Sequence, residues 1–404
     1  MRRMISTAQD LTISDQVRGP LLVRGTERKH APKGWTFFLY VLLRGGVAVH
    51  LYHKPIYSMD SIQYMGNALL MEEHDLVRVH QRVYAEVQLF VPKFERDGLL
   101  GHEAGAPEQQ NKSRQERAAN ADKFAEFLPL FAIRPLYNQT LWLVSRTGVG
   151  LVRAGIFISV TSYFFLGVLA FVWFGKYFSA GFTLTFSLLL MISPPLMSLG
   201  RDTTADPLAT LVAFASLYLI FEKRRLFPGM ILLLASIYFR TDFVVLAGPV
   251  ILACWLERRI ELWKAAVLAL VAVGSVLCIN YFAGDYGMGM LYYRNFAGVP
   301  IAPGEMTAHL SLKDYLSALR AGITLMTESF FLPFLLLGII GFVARRMRGL
   351  FVVTFSYVCL HFLILPNWQE RWFGVFYLSM AVCAATTIRA ATSGRDEGIS
   401  HDAM

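Results

Sequence analysis

The sequence predicts an all-α fold: a polytopic transmembrane helix bundle of about ten spans, with an external first loop that carries amphipathic interfacial helices. Three observations predict it. Hydrophobic residues make up 55% of the 404 and charged residues only 17%, with a mean hydropathy of +0.46, more apolar surface than a water-soluble domain can bury. The apolar residues gather into runs to be set against the ~20 residues of a membrane-crossing helix, several of them short enough to be extended at their ends or partly interfacial. Basic residues recur in the short turns between those runs, the pattern that orients membrane helices.

Residues 1–33 are polar and contain Arg2, Arg3, Arg24, Arg28, Lys29 and Lys33, a cytoplasmic basic arm rather than the short charged lead of a signal peptide. Gly34 to Tyr52 is the first span. An external loop, 54–152, follows, and residues 101–123, rich in Gly, Ala and Gln, read as a mobile insertion in it. Residues 126–152 are placed in the interface, because a span there would put "EKRR" outside. The remaining spans are Arg153 to Phe174, Gly181 to Leu199, Ala205 to Phe221, Phe227 to Phe239, Phe243 to Leu256, Ala265 to Phe282, Phe330 to Ala344, Leu350 to Leu365 and Phe373 to Ile388. Residues 34–283 thus form one transmembrane module, 284–389 an external loop with the last spans, and 390–404 a cytoplasmic tail. The membrane expected is a bacterial inner or plasma membrane, with both termini cytoplasmic.

Charge supports this order. The turns with Lys176, with Lys223, Arg224 and Arg225, with Arg258, Arg259 and Lys264, and with Arg345, Arg346 and Arg348 all fall on the cytoplasmic side. Twelve of the 29 acidic residues fall in the stretch from Lys54 to Glu126, on the other side. The net charge of +9 is therefore a topology signal and not a nucleic-acid footprint. Cys254, Cys278, Cys359 and Cys383 all lie in apolar runs without metal-ligand spacing, so neither a disulfide framework nor a zinc site is expected. The tripeptides at Asn111 and Asn138 match a glycosylation acceptor too short to carry weight.

The external side collects Asp60, His80, Arg82, Arg134, Arg201, Asp202, Asp206, Arg240, Asp242, Glu370 and Arg371. Charges at a bilayer boundary are costly unless they pair or serve chemistry, so a common cavity is expected there. Asp60, Tyr64 and Asn67 share one face of a helix whose other face carries Ile62, Met65 and Leu69, which suits an interfacial helix with its polar face toward that cavity. Alone, Asp60 reads more readily as a helix-capping residue, and the rest of the chain shifts the balance.

The succession of an external Asp opening an amphipathic helix, "IRPLYNQTLWLVSRTGVG", "SPPLMSLGRDTTADPLATLVAFASLYLIFEKRR" and "ASIYFRTDFVVLAGPVIL" resembles the GT-C superfamily of integral-membrane glycosyltransferases, which includes protein mannosyltransferases and aminoarabinose transferases. The likeness covers roughly residues 34–260 in order and spacing; beyond residue 284 only "NWQERWFGVFYL" is similar, with an arginine opening a late span. The resemblance implies transfer of one sugar from a polyprenyl-phosphate carrier to a glycan, lipid or protein acceptor at the external face. Asp60 would act as general base; Arg371, Arg240 and Arg134 would bind the donor phosphate; His80, Arg82, Tyr64, Arg201, Asp202 and Asp206 would contact substrates. Many members follow the first Asp with a second acid, where this chain has Ser61. No cofactor is implied with certainty and no metal ligand is assigned; a divalent metal stays open, with Asp202 or Asp206 as the further acid. A transporter or flippase of a lipid-linked or anionic substrate, or a non-catalytic member of the fold, is the alternative. Against transport stand the lack of an inverted repeat and of paired broken helices; Arg44, the intramembrane charge of the first span, is read as able to snorkel.

Overall fold

The computed structural model describes residues 34–284, 286, 311–343 and 347–399. The basic arm 1–33, most of the 285–310 loop, Arg345, Arg346 and the last residues of the tail lie outside the described residues. Among the described residues the fold is helical throughout, with no strand beyond an isolated bridge between Ile56 and Asp202.

The helices are α1 Gly34–Tyr52, α2 Met59–Leu69, α3 Leu76–Phe90, α4 Lys93–Leu99, α5 Glu108–Ala119, α6 Ala121–Ala125, α7 Pro129–Ala132, α8 Pro135–Val144, α9 Leu151–Phe174, α10 Ala180–Met191, α11 Pro194–Arg201, α12 Asp206–Leu217, α13 Leu226–Phe239, α14 Val244–Leu256, α15 Leu262–Phe282, α16 Leu312–Glu328, α17 Phe331–Val343, α18 Arg348–Ile364 and α19 Gly374–Ile399. Turns of π-helix extend α8 at Ser145–Val149 and α12 at Tyr218–Glu222.

Every apolar run of the sequence is helical, but the helices differ in reach. Among the described residues four are long and apolar enough to cross a membrane: Gly34–Tyr52, Leu151–Phe174, Leu262–Phe282 and Glu370–Ile388. Six is the count if each bent pair is one span, Ala180–Met191 with Pro194–Arg201 (66°) and Leu312–Glu328 with Phe331–Phe342 (73°), so the expected lack of paired broken helices does not hold. The first bend falls at Ser193, where Pro194 and Pro195 remove two backbone donors. Leu226–Phe239, Thr241–Leu256 and Arg348–Ile364 are apolar but short of the ~20 residues of a full crossing.

Helix α9 is the hub, packing on α1, α8, α10, α11 and α12, while α12 packs on α13, α14 on α15 and α18, and α17 on α19. Arg44 of α1 does not snorkel. It is 1% exposed, lies 3.6 Å from the centre of the Tyr163 ring and donates through Nη2 to the Tyr163 carbonyl at 2.7 Å. The close approach needs Gly167, where a Cβ would stand 2.3 Å from Arg44 Nε.

The loop between α1 and α9 is a packed subdomain. Helix α2 is not an interfacial helix with one open face: Ile62, Gln63, Tyr64, Met65, Gly66, Ala68 and Leu69 are all buried, enclosed by α3, α7, α8 and α9. Asn67, expected to face a cavity, instead donates to the carbonyls of Gln63 and Leu128. Residues 101–123 are not the expected mobile insertion, because α5 anchors there through basic side chains. Arg114 bonds the Gly98 carbonyl at 2.8 Å and Glu103, and Arg117 lies buried 4.3 Å from the Phe127 ring centre. Within 126–152 no helix is long enough to cross a membrane, and α8 breaks from α9 at Gly148 and Gly150, both at positive φ.

Candidate functional site

Helix direction gathers the charged residues. The ends of α11, α13 and α18 meet the starts of α12, α14 and α19 at one end of the bundle, and the connectors between them carry Asp202, Arg240, Asp242 and Arg371. Asp60 is brought there by backbone pairing: the Ile56 N–H donates to the Arg201 carbonyl at 2.8 Å, and Ser61 Oγ donates to the Thr203 carbonyl at 3.1 Å. The connector from α1 to α2 is thus fastened to the connector from α11 to α12.

Arg371 is the centre of what results. Its Nη2 donates to Asp60 Oδ2 at 3.1 Å and its Nη1 to Asp202 Oδ2 at 2.6 Å, while Nε lies 3.5 Å from Asp206 Oδ2. Asp206 passes the chain on, its Oδ1 standing 3.0 Å from Arg240 Nη1. Arg240 Nε donates to Asp242 Oδ1 at 2.8 Å, and Asp242 Oδ2 lies 2.7 Å from His361 Nε2. One network therefore ties α2, the starts of α12, α14 and α19, and the last turn of α18.

Four carboxylates face two guanidinium groups, and burial decides how the second of those carboxylates, Asp202, ionises. Burial, opposed by Arg371 and reinforced by Asp206 and Asp60, pushes the Asp202 carboxyl up to about 6. Its second oxygen, Oδ1, has no hydrogen-bond partner. Asp206 stands in the first turn of α12, where the helix N-terminus favours a negative charge.

The network has a closed end and an open end. Arg240 and Asp206 have side chains 3% and 5% exposed, whereas Arg371 and Asp60 are 21% and 26% exposed. Beside the open end, the Tyr64 hydroxyl accepts from Arg134 Nη1, and the Tyr64 ring packs edge-on against Phe131 and Tyr137. Burial, eased by Arg134 and reinforced by Asp60 and Asp206, holds the Tyr64 phenol protonated well above its usual range. A small, mainly apolar cleft opens next to this group, lined in part by Tyr57, Ser61, Tyr64, Tyr137 and Thr203.

Of the residues the sequence pointed to, Asp60, Arg371, Asp202, Asp206 and Arg240 come together, with Arg134 and Tyr64 at their edge. Arg240 takes a different place from the one expected: enclosed between Asp206 and Asp242, it faces no open space for a phosphate. Asp60 is the second residue of α2, not its cap; Ser58 holds the cap position. Three residues stand apart. His80 is packed against Tyr84 and Phe124 with Nε2 3.0 Å from the Arg117 carbonyl. Arg82 pairs with Glu72, which also accepts from Trp142 and Arg146. Arg201 bonds the Lys54 carbonyl. Each is consumed in holding the loop subdomain, a role that local sequence does not distinguish from substrate contact. Glu370 accepts from the Phe330 N–H and so fastens the bend between α16 and α17.

His361 was missed. It lies in the apolar run "VCLHFLIL" and is 1% exposed among Tyr357, Trp372 and Phe373. The signal available was the presence of an ionisable side chain within a span, which by itself points to function. Among the described residues no group of three or more His, Cys, Asp or Glu side chains is arranged to hold a metal ion; the cation shared by Asp60, Asp202 and Asp206 is Arg371.

Comparison with known proteins returned no matching family model, no matching curated protein and no matching solved structure. The site is therefore read from its own geometry.

Proposed function

We propose that the protein is a membrane glycosyltransferase that moves a single sugar from a polyprenyl-phosphate carrier to an acceptor hydroxyl. The observation that carries this reading is the Asp60–Arg371 pair: a carboxylate and a guanidinium in contact at the open end of a buried charge network, at one end of a bundle of apolar helices. Such a transfer needs a base for the acceptor and a cation for the departing phosphate, side by side where water and bilayer meet.

The pairing suggests how the two roles are linked. In the resting protein Arg371 quenches Asp60. A lipid phosphate that takes the Arg371 fork bidentately releases the Asp60 carboxylate. Asp60 then accepts the proton of the acceptor hydroxyl as its oxygen attacks the anomeric carbon, and the bond from that carbon to the phosphate oxygen breaks with its electron pair left on the phosphate. Arg134, beside Tyr64, is the second cation for that phosphate, and Arg240 holds Asp206 and Asp242 in place. The ten-crossing topology, with termini inside and Asp60 and Arg371 outside, belongs to this proposal. So does the assignment to the GT-C superfamily.

A transporter would bury its charged site away from both faces, whereas Asp60 and Arg371 are each part-exposed. Mass spectrometry of envelope glycans, lipids and proteins from cells lacking the gene tests the reading. A sugar should disappear from one of these pools and return with the parent gene but not with an Asp60→Asn gene. An unchanged glycan, lipid and protein profile would count against it.

A further inference from the structure

Helices α12 and α14 start at the carboxylate network and run away from it, so the turns at their far ends lie at the opposite end of the bundle. These turns are neighbours. Arg259 Nη2 donates to the Ile220 carbonyl at 2.8 Å, and Arg224 Nη1 is 3.6 Å from Glu257 Oε2. The start of α18 joins them, since a Cβ on Gly349 would stand 2.9 Å from Glu257 Oε1.

Both turns close over an arginine, the first in a loop one residue longer than the second. The Arg225 N–H reaches back to the Leu219 carbonyl and the Arg259 N–H to the Cys254 carbonyl, each at 2.8 Å. The residue before each donor, Arg224 in one turn and Arg258 in the other, sits at φ 55°. Glycine is the usual occupant of such a position because a side chain there is strained. Among the described residues these two arginines are the only non-glycine residues at positive φ. Two exposed arginines kept where glycine would be easier, on adjacent turns, indicate that the side chains are wanted.

Their surroundings say for what. Lys223, Arg225 and Arg348 are exposed on the same three segments. Of the nearby acids, Glu222 is taken up by Trp173, Lys176 and Tyr177, Glu261 by Trp263 and Lys264, and Glu257 lies between Arg224 and Arg259, at 3.6 and 3.7 Å. Phe227, Trp255 and Trp263 are exposed beside the basic residues, at the ends of apolar helices. Basic side chains set among exposed aromatics mark the level of lipid headgroups. We propose that this end of the bundle holds the headgroup phosphate of an anionic phospholipid, gripped by Arg224 and Arg258 from the two facing turns. Guanidinium groups suit a phosphate because they bind it through two parallel donors. This site is distinct from the Asp60–Arg371 end and does not depend on the transferase reading.

The strain supplies a test that unfolding does not confuse. Arg224→Gly with Arg258→Gly relaxes both turns while removing both charges. In native mass spectrometry and thermal-shift measurements on the full-length protein in neutral detergent, the parent should retain phosphatidylglycerol in preference to phosphatidylcholine. The double glycine variant should melt at or above the parent temperature and retain phosphatidylglycerol roughly tenfold or more weakly. A second pair, Arg224→Gln with Arg258→Gln, keeps the strained backbone without the charge and should lose the lipid equally; it decides the matter if the glycine pair misfolds. Equal retention by the parent and the glutamine pair, or no preference for phosphatidylglycerol in the parent, would overturn the proposal. Displacement of the lipid by millimolar inorganic phosphate would overturn its assignment to a lipid headgroup.

Discussion

Asp60→Asn separates catalysis from structure more cleanly than any other change at the site. Asn is the same size and can still accept a hydrogen bond from Arg371 Nη2, which Asp60 receives at 3.1 Å. Arg371 keeps two carboxylates, Asp202 at 2.6 Å and Asp206 at 3.5 Å, so it is not left as an unpaired cation. Because the Asp60–Arg371 pair is 26% and 21% exposed, its loss should cost no more than ~1 kcal/mol of stability, the upper range for a pair in contact with water. Asp60 is the second residue of α2 and Ser58 occupies the cap position, so the helix should start where it does in the parent. Loss of a general base, by contrast, lowers turnover by ~10²-fold or more, a barrier increase of about 2.7 kcal/mol. The assay is transfer of a labelled sugar from polyprenyl phosphate by purified protein, run beside a thermal-retention measurement on the same sample. A well-folded Asp60→Asn protein with near-parent turnover would refute the assignment of Asp60 as base.

Further outcomes are expected around the same network. Arg371→Lys keeps a charge but loses the fork, so use of limiting lipid donor should weaken by about 1–3 kcal/mol, seen as a raised KM for the donor; an unchanged KM would remove Arg371 from phosphate binding. Arg240→Met takes from buried Asp206 and Asp242 the guanidinium they share, leaving them Arg371 and His361, and should cost up to ~3–5 kcal/mol, read as poor thermal retention in detergent; a parent-like melt would show that the pair carries no such weight. Asp202 ionises near 6 in the folded protein against an ordinary value near 4, so the folded state holds its proton more tightly between those values. Its contribution is therefore least favourable above pH 6 and improves, by up to about 3 kcal/mol, as pH falls toward 4. The difference in stability between the parent and Asp202→Asn should track that window, and a pH-independent difference would contradict the raised value. For topology, cysteines placed at 114 and 224 should be labelled from outside and from inside respectively, and the reverse would invert the proposed orientation.

Much of the fold was legible because membrane helices announce themselves locally. Where described, the ten apolar runs are helical, though Gly181 to Leu199 breaks into α10 and α11, and Gly34 to Tyr52 matches α1 at both ends. Reach was harder to read, since an apolar run does not show where Pro194 bends a helix or that Leu226–Phe239 stops short. Of the site, Asp60 and Arg371 could be paired in advance only through family-like spacing; 311 positions separate them, and nothing local says that the Ile56 pairing with Arg201 closes the distance. His80, Arg82 and Arg201 went astray for the complementary reason. A polar side chain in a loop has several ways to satisfy its donors, and theirs are met by Arg117, Glu72 and Lys54 within the subdomain. His361 was hidden by its apolar neighbours, whose periodicity carried the span and drew attention away from the one ionisable ring in it.

The guanidinium of Arg44 bears on how the chain is made. It sits near the midpoint of α1, and the carbonyl and ring that receive it belong to Tyr163, 119 positions later. At roughly 5–20 residues per second, the ribosome needs several seconds or more to supply that partner. Through that interval α1 carries a charge whose burial in lipid costs ~2.5–3.5 kcal/mol at the centre of a helix. The first helix should therefore linger at the insertion machinery until α9 emerges, and Arg44→Leu should release it into lipid early, measurable by crosslinking of stalled nascent chains to the translocon. Helix α9 would then be the element that admits α1 to the bilayer, fixing the order of assembly before Asp202, Asp206, Arg240 and Arg371 have been synthesised.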